Sequence, residues 1–246
     1  GCDQMKRLAE ISWKKAEKEL KSKSVILPIG AIEAHGYHLP LGTDNYISEE
    51  ISEKVAKKLD SLLLPLIPYG QVWSLREFPG SISLNDSTLI SIIEDIASSL
   101  ARHKVKLLII INAHFGNNAA LKKAERLIRE KYDIKVLRFT HPGLKELENK
   151  YIESERVHPN YLHAEEIETS MLLNINSELV DMNKAEADKP DIPEYFGNYS
   201  VPWNQITDKA VLGDPTKAKN EKGKKLINGI ATKIVEIVKE FQEEVN

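Results

Sequence analysis

Residues 25–44 read VILPIGAIEAHGYHLPLGTD, a segment that passes from an apolar run into ionisable side chains. The run beginning at Val25 is typical of a buried strand, which Pro and Gly residues end at a turn. Glu33, His35 and Asp44 follow that turn. Two carboxylates and an imidazole at the end of one strand are ligand types that suit Zn²⁺ or Mn²⁺. The segment is therefore compatible with a metal site.

The same three side chains also have a purely structural interpretation. Glu33 would be a loop acid, His35 a surface histidine, and Asp44 the N-cap of the next helix, since Asp is favoured at that position. Apolar residues spaced by four after Asp44 do predict a surface helix. A cap and a metal ligand are compatible roles, so both interpretations stay open at this point.

The composition is typical of a folded globular protein. Of its 246 residues, 41% are hydrophobic and 29% charged, which is enough to bury the core of one α/β domain. A formal net charge of −3 provides no basic surface for nucleic acid, so we expect no nucleic-acid partner. No apolar run approaches the ~18 residues of a membrane span, and the N-terminus lacks the apolar core of a secretory signal. We therefore expect no membrane partner and a cytoplasmic location.

The single cysteine, Cys2, precedes Met5, and we interpret residues 1–4 as an artificial addition ahead of a native start. Residues 5–246 would then contain no cysteine, hence no disulfide and no thiolate ligand or nucleophile. Any metal site would have to consist of His, Asp and Glu.

Helical and strand patterns alternate along most of the chain. Helices are predicted at residues 5–21, 44–59, 85–103, 119–132 and 217–244, and strands at residues 25–27, 62–67, 106–111 and 134–139. Such alternation is typical of crossover units and a mainly parallel sheet, whose ligands bind beyond the carboxyl ends of the strands. We find no internal repeat or linker and interpret residues 5–246 as one domain.

A second polar segment, residues 112–118, directly follows the most apolar strand and contains His114. This is the expected place for a ligand site in a parallel sheet. The alternative is an ordinary strand-to-helix turn in which Asn and Gly supply the geometry and His114 is incidental.

A third polar segment, residues 163–170, reads HAEEIETS. If it is helical, Glu166 lies ~60° around the axis from His163, whereas Glu165 lies on nearly the opposite side. Glu168 borders an apolar stripe and is interpreted as a partly buried acid that orients a metal ligand without binding the metal itself. The alternative is an acid-rich first turn that complements the helix dipole, which explains Glu165 but not His163.

Other segments are open to several interpretations. The aromatic loop at residues 69–84 could form a substrate wall, cover the core or contact another subunit. Residues 181–213 have little periodicity and could form a lid or an interface arm. His141 and His158 lie in a weakly patterned region and are predicted to be surface residues.

Five segments together resemble the creatininase family, also called creatinine amidohydrolases. They are EAHGYHLPLGTD at residues 33–44, FPGSISL at residues 78–84, NAHFGN at residues 112–117, HAEEIETS at residues 163–170 and GDPTKAKNEKG at residues 213–223. The matches occur in the family's order and span nearly the whole chain, so they are more specific together than any one motif.

The resemblance implies a three-layer α/β/α sandwich with a mainly parallel central sheet. It further implies a homo-oligomer, which in this family is usually a hexamer. It also implies two divalent ions per chain, Zn or Mn, with Fe as a further possibility. By position in the motifs, Glu33 and His114 would bind one ion, His35 the other, and Asp44 would bridge them.

One ligand does not carry over. Gly116 stands where creatininase itself supplies a further carboxylate, and Glu166 is the expected replacement, with Glu168 as the alternative. His163 matches a catalytic histidine of the family, and Glu168 matches a nearby acid that we assign with it to catalysis.

The implied reaction is hydrolysis of a C–N bond in a small amide, cyclic amide or formamide. A hydroxide held between the ions would attack the carbonyl carbon, and His163 would carry the proton to the leaving nitrogen. Leu75 stands where many relatives have histidine, and Phe115 replaces a glycine, so creatinine is not the expected substrate. One alternative is a metal-free binding or scaffold protein. The other is a metal-dependent phosphoesterase, which is disfavoured because the sequence has no Gly-rich phosphate loop.

Overall fold

The computed structural model describes residues 6–245, and its strands form one parallel sheet in the order β1-β3-β2-β4-β5. The strands are β1 Lys6–Arg7, β2 Val25–Ile29, β3 Leu62–Leu63, β4 Leu107–Asn112 and β5 Lys135–Thr140. The α-helices are α1 Trp13–Glu19, α2 Thr43–Leu59, α3 Asp86–Arg102, α4 Asn118–Lys131, α5 Leu144–Tyr151, α6 Glu166–Asn176 and α7 Asn220–Val245. The predicted parallel α/β fold is confirmed.

Helices cover both faces of the sheet. Strand β4 shows why, because Leu108 and Ile110 pack into one apolar core with α3 and α4, whereas Ile109 and Ile111 pack into the other with α2, α6 and α7. Side chains alternate between the faces of a strand, so a strand that is apolar at every position is buried on both sides. The result is a three-layer α/β/α arrangement.

The two central strands bring the polar segments together. Strands β2 and β4 are neighbours, with Ile29 opposite Asn112, and the chain continues from these residues towards Glu33 and His114 respectively. The turn after β2 also lies against the first turn of α2, where a Cβ at Gly30 would come 2.3 Å from Oδ1 of Asn45. This close approach requires glycine and fixes α2 beside the strand ends.

The predicted helix at residues 5–21 is wrong over its first half. Lys6–Arg7 is instead the short edge strand β1, which pairs with β3, and the helix there covers only Trp13–Glu19. The Ser12 side chain accepts a hydrogen bond from the Lys15 backbone N–H and begins the helix at this point. Composition rich in Lys and Glu indicates a helix but carries no information on strand pairing. Residues 1–5, including Cys2 and Met5, lie outside the described residues.

Helices α6 and α7 are in backbone contact, and we expect Gly223→Ala to break that contact. A Cβ at residue 223 would lie 1.8 Å from the carbonyl oxygen of Ser170, so one helix must move. The free energy of unfolding should fall by roughly 2–3 kcal/mol in urea denaturation.

Gly229→Ala, on the same helix, is the matched control. A Cβ at residue 229 would meet only the flexible end of Leu147, and alanine favours the helix, so stability should stay within about 1 kcal/mol of the wild type. Equal losses in the two variants would contradict the role of the α6–α7 contact.

Candidate metal centre

Three segments of the chain place ionisable side chains at the carboxyl edge of the sheet. They are the loop after β2 with the start of α2, the turn after β4, and the segment that enters α6. The residues brought together are Glu33, His35, Asp44, His114, His163 and Glu168, and each is at most 9% exposed. Asp44 lies in the first turn of α2 but is not its N-cap, which is Gly42.

Asp44 lies between two histidines. Its Oδ1 is 3.3 Å from Nε2 of His35, and its Oδ2 is 3.3 Å from Nδ1 of His114. Each histidine also faces a second carboxylate, with Glu33 3.1 Å from His114 Nδ1 and Glu168 3.7 Å from His35 Nε2. Among the described residues, three groups of ligand atoms lie close enough to hold an ion: Glu33, Asp44 and His114; His35, Asp44 and Glu168; and Glu33, His35 and His163. The first two groups form two ligand sets that share Asp44 and between them use every residue of the cluster except His163.

Backbone carbonyls fix the orientation of the three histidine rings. His35 Nδ1–H donates to the Glu33 carbonyl, His114 Nε2–H to the Gln71 carbonyl, and His163 Nε2–H to the Ala34 carbonyl. A carbonyl only accepts, so the proton of each neutral ring is held on the side away from the cluster. The other ring nitrogen then directs a lone pair at the carboxylates, which is the usual arrangement of metal-binding histidines.

Several atoms of the cluster have no hydrogen-bond partner in the described structure. They are Oε2 of Glu33, Nε2 of His35 and Oδ2 of Asp44, all buried. Buried ionised groups are costly unless they are paired or coordinate a metal. The unpartnered atoms and the mixed His and carboxylate donors fit two divalent ions of the zinc or manganese type.

Burial and the neighbouring charges also shift the pKa values of the cluster residues. Burial lowers the pKa of His35, but Asp44, Glu168 and Glu33 outweigh it and raise the pKa to about 10. Burial raises the pKa of Glu168 to about 7, and Asp44 adds to that rise. The cluster without an ion would thus hold protons in place of a cation, and metal binding should release them.

His163 differs from the other two histidines. Burial lowers its pKa well below the ordinary value, with the His35 charge acting in the same direction, and its Nδ1 is 3.8 Å from Oε1 of Glu33. Its ring lies 4.3 Å from the His35 ring and edge-on to Trp203. A neutral imidazole at this place can accept a proton from a group bound in the site.

Glu166 does not join the cluster, contrary to expectation. Helix α6 begins at Glu166 with Glu165 as its N-cap, so His163 precedes the helix and the angle per helical residue does not relate the two. The Glu166 carboxylate instead accepts the backbone N–H groups of Glu153 and Ser154 and pairs with Lys222 on α7. Glu168, two residues further along α6 and so on nearly the opposite side of the helix, is the carboxylate that reaches His35.

Gly116 is tightly enclosed by the groups that orient His114. A Cβ there would lie 2.3 Å from His114 Nε2 and 2.5 Å from the Gln71 carbonyl oxygen. A carboxylate side chain at this position would disturb the hydrogen bond between those two groups. The carboxylate that the structure places beside His35 therefore comes from α6 and not from the turn after β4.

A cavity of about 140 Å³ opens onto the cluster. The loop at residues 69–84 supplies part of its wall through Gln71, Val72, Ser74 and Leu75, while Trp73 packs against Arg76 outside it. Further wall residues are Phe115 and Gly116 after β4, residues 160–162 before His163, and Trp203 from the arm at residues 181–213. The sequence alone did not reveal the part played by Gln71, Ser74 or Trp203, since none of them lies in a periodic or motif position.

His141 is not a surface residue, and that prediction is wrong. It follows β5 at the same edge of the sheet, is 7% exposed, and contacts Phe115 edge-on at 5.8 Å between ring centroids. His158 is half-buried and lies 4.8 Å from the Tyr161 ring. Neither belongs to the ligand sets found among the described residues.

Comparison with known proteins identifies the family. The family model for creatininase, described as creatinine amidohydrolase, matches residues 9–238. The chain belongs to the creatininase family. Creatinine amidohydrolase of Pseudomonas putida is 23% identical over 95% of this chain and 96% of its own length. The mycofactocin precursor peptide peptidase of Mycobacterium tuberculosis (strain CDC 1551 / Oshkosh) is 28% identical over 83% of this chain and 80% of its own length.

Solved structures of creatininase share the fold. A mutant creatininase of the Zn-Zn type has a TM-score of 0.84 at 25% identity, over 95% of this chain and 97% of that chain. A structure titled creatininase Mn has a TM-score of 0.82 at 25% identity, over 96% of this chain and 98% of that chain. The three-layer fold is thus confirmed, and the chain is a creatininase-family hydrolase. Among residues 6–245, no helix combines the length and apolarity needed to cross a bilayer.

Proposed function

We propose that this chain is a hydrolase with two divalent ions, Zn or Mn, that cleaves the C–N bond of a small amide, cyclic amide or formamide. The observation that carries the proposal is the position of Asp44, whose two oxygens each lie 3.3 Å from a different histidine. Glu33 and Glu168 complete the two sets. One carboxylate shared by two ligand sets is the arrangement expected of a dinuclear site.

When bound, the ions would lower the pKa of a water molecule and polarise the substrate carbonyl. The chain's own groups supply the remaining functions. His163 lines the cavity and leaves Nδ1 without a proton, so its neutral ring would take a proton from the attacking water and return it to the leaving nitrogen. The Ala34 carbonyl holds the ring in the required tautomer. Glu168, assigned to catalysis by resemblance, is better explained as a ligand in this geometry, because its Oε2 lies 3.7 Å from His35.

The metal-free binding protein is less well supported. A scaffold that had lost its metals would gain stability by replacing clustered, buried carboxylates, whereas Glu33 and Asp44 are both retained with unpartnered oxygens.

We also propose that residues 5–246 form one domain that assembles into a homo-oligomer, a hexamer by family resemblance. The single sheet and the family match over residues 9–238 support one domain. Three exposed apolar side chains support a contact between copies: Leu41 lies against Gly80, Tyr46 lies near Gly42, and Ile82 is on the segment that pairs with Ile32. The cytoplasmic location stays a prediction.

We expect His163→Ala to separate chemistry from metal binding. The variant should keep the wild-type metal content, since both sets that share Asp44 remain, but lose roughly 10²–10⁴ in turnover because the proton carrier is gone. Elemental analysis and kcat are measured on the same sample. A parallel loss of metal and activity would assign His163 to the ligands instead.

The proposal as a whole is tested by turnover of small amides, lactams and formamides by protein loaded with Zn or Mn and by the same protein after a chelator. Hydrolysis that depends on the metal supports it. No hydrolysis of any of these classes by protein carrying both ions would contradict it.

A further inference from the structure

We infer that the site takes a substrate without anionic groups around its scissile bond, and that its wall selects against phosphate and carboxylate. This inference rests on the proposed function and deepens it. Beyond the residues of the metal cluster, every side chain on the wall of the cavity is uncharged, and no Lys or Arg within residues 6–245 lines it. Anion-binding sites in proteins ordinarily supply Arg, Lys or a set of free N–H groups.

Two basic side chains near the site, Arg76 and Lys222, form ion pairs outside the cavity. Arg76, in the loop that supplies part of the wall, pairs with Glu77 at 3.1 Å, and its guanidinium lies 5.0 Å from the Trp73 ring, away from the cavity. Lys222, on the far side of α6, is buried against Glu166. Neither side chain is among the residues that line the cavity.

The cluster itself leaves little positive charge for an anion. Its three carboxylates, Glu33, Asp44 and Glu168, would balance three of the four positive charges of two divalent ions, and the attacking hydroxide would balance the fourth. An anionic group next to the scissile bond would therefore lose its hydration and gain no counter-charge, which is unfavourable. The same reasoning weighs against the phosphoesterase alternative.

Part of the uncharged wall is apolar and packed against the rest of the protein. Val72, Leu75 and Trp203 belong to one buried apolar cluster that joins the loop at residues 69–84 to the arm at residues 181–213. Phe115, the residue after His114, adds a further apolar side chain to the wall. A cavity of about 140 Å³ between these side chains suits a compact, uncharged amide and makes Leu75 and Trp203 determinants of specificity.

A matched pair of formamides tests the inference on the metal-loaded protein. N-formylglycinamide and N-formylglycine share one skeleton and differ in the charge of one group. We expect kcat/KM for the neutral compound to exceed that for the anion by on the order of 100-fold. Equal values, or preference for the anion, would overturn the inference while leaving the hydrolase proposal intact.

A pair of wall variants tests the physical cause. Ser74 lines the cavity and is half-buried, so its side chain can be extended towards bound substrate. Ser74→Lys should raise the ratio of anion to neutral kcat/KM about tenfold, whereas Ser74→Met, of similar size but uncharged, should not. The same change in both variants would attribute the selectivity to size rather than charge.

Binding provides a readout independent of turnover. Succinamide monohydroxamate and succinic acid monohydroxamate carry the same metal-binding group on the same skeleton, but only the second has a carboxylate in place of the neutral amide. Calorimetry should give weaker binding for the second compound. Tighter binding of the second compound would contradict the inference even if neither formamide is hydrolysed, and that absence of hydrolysis would by itself count against the proposed function.

Discussion

Asp44→Asn should abolish hydrolysis and remove most of the bound metal. Asp44 belongs to both ligand sets, with Glu33 and His114 in one and with His35 and Glu168 in the other. Asn replaces one of its two oxygens by an amide nitrogen, which cannot act as a ligand. We expect less than one ion per chain by elemental analysis, and kcat/KM to fall by about 10⁴ or more, which is the combined effect of losing the ions and the attacking water they activate.

The fold should survive this change. Asn has the same shape as Asp, and the loss of a negative charge in the first turn of α2 costs only about 0.3–1 kcal/mol. Glu50→Gln, on the same helix but paired with Lys54 away from the site, is the matched control and should keep both metal and activity. Wild-type metal content in Asp44→Asn would refute the bridging role.

Glu168→Gln and Glu166→Gln should have opposite effects. Glu168→Gln removes the carboxylate that faces His35 and should cost about one ion per chain and nearly all activity. Glu166→Gln should keep both ions, because its carboxylate is bound to Lys222 and to two backbone N–H groups.

Glu166→Gln should instead be unstable. It removes the buried charge that Lys222 faces, while Glu153 stays 2.7 Å from Lys222 Nζ, so the free energy of unfolding should fall by about 1.5–3 kcal/mol. Metal content and urea denaturation of both variants distinguish the two roles. Loss of an ion in Glu166→Gln, with both ions kept in Glu168→Gln, would reverse the assignment.

Much of the site could be predicted from the sequence because parallel strands end at one edge of a sheet. Glu33 and His35 follow β2 and His114 follows β4, so recognising two buried strands placed these residues at one edge of the sheet. The strands alone do not place Asp44, in the first turn of α2, beside them, and its bridging position was predicted only by the family resemblance. The alternation of strands and helices likewise predicted the sheet.

The choice between Glu166 and Glu168 depended on where α6 begins. Ala164 has a φ of 51°, so the chain turns sharply between His163 and the helix, and counting residues around a helix axis fails across that turn. A short hydrogen bond from the Ala164 backbone N–H to Glu168 Oε2, at 2.6 Å, then holds this carboxylate beside His35. Such a turn has no periodic signal in the sequence.

His141 and Trp203 were missed for reasons of topology. The burial of His141 follows from the order of strands, which sets Thr140 at the end of β5 opposite Asn112 at the end of β4. Trp203 comes from an irregular segment whose packing depends on contacts distant in sequence. Contacts between residues that are distant in sequence cannot be predicted from the local sequence pattern.

The central claim is that two ions occupy the two ligand sets that share Asp44. A crystal of the metal-loaded protein, measured at the absorption edge of the bound metal, tests it most directly. We predict two anomalous peaks, one among Glu33, Asp44 and His114 and the other among His35, Asp44 and Glu168. A single peak, or a peak beside Glu166, would contradict the account.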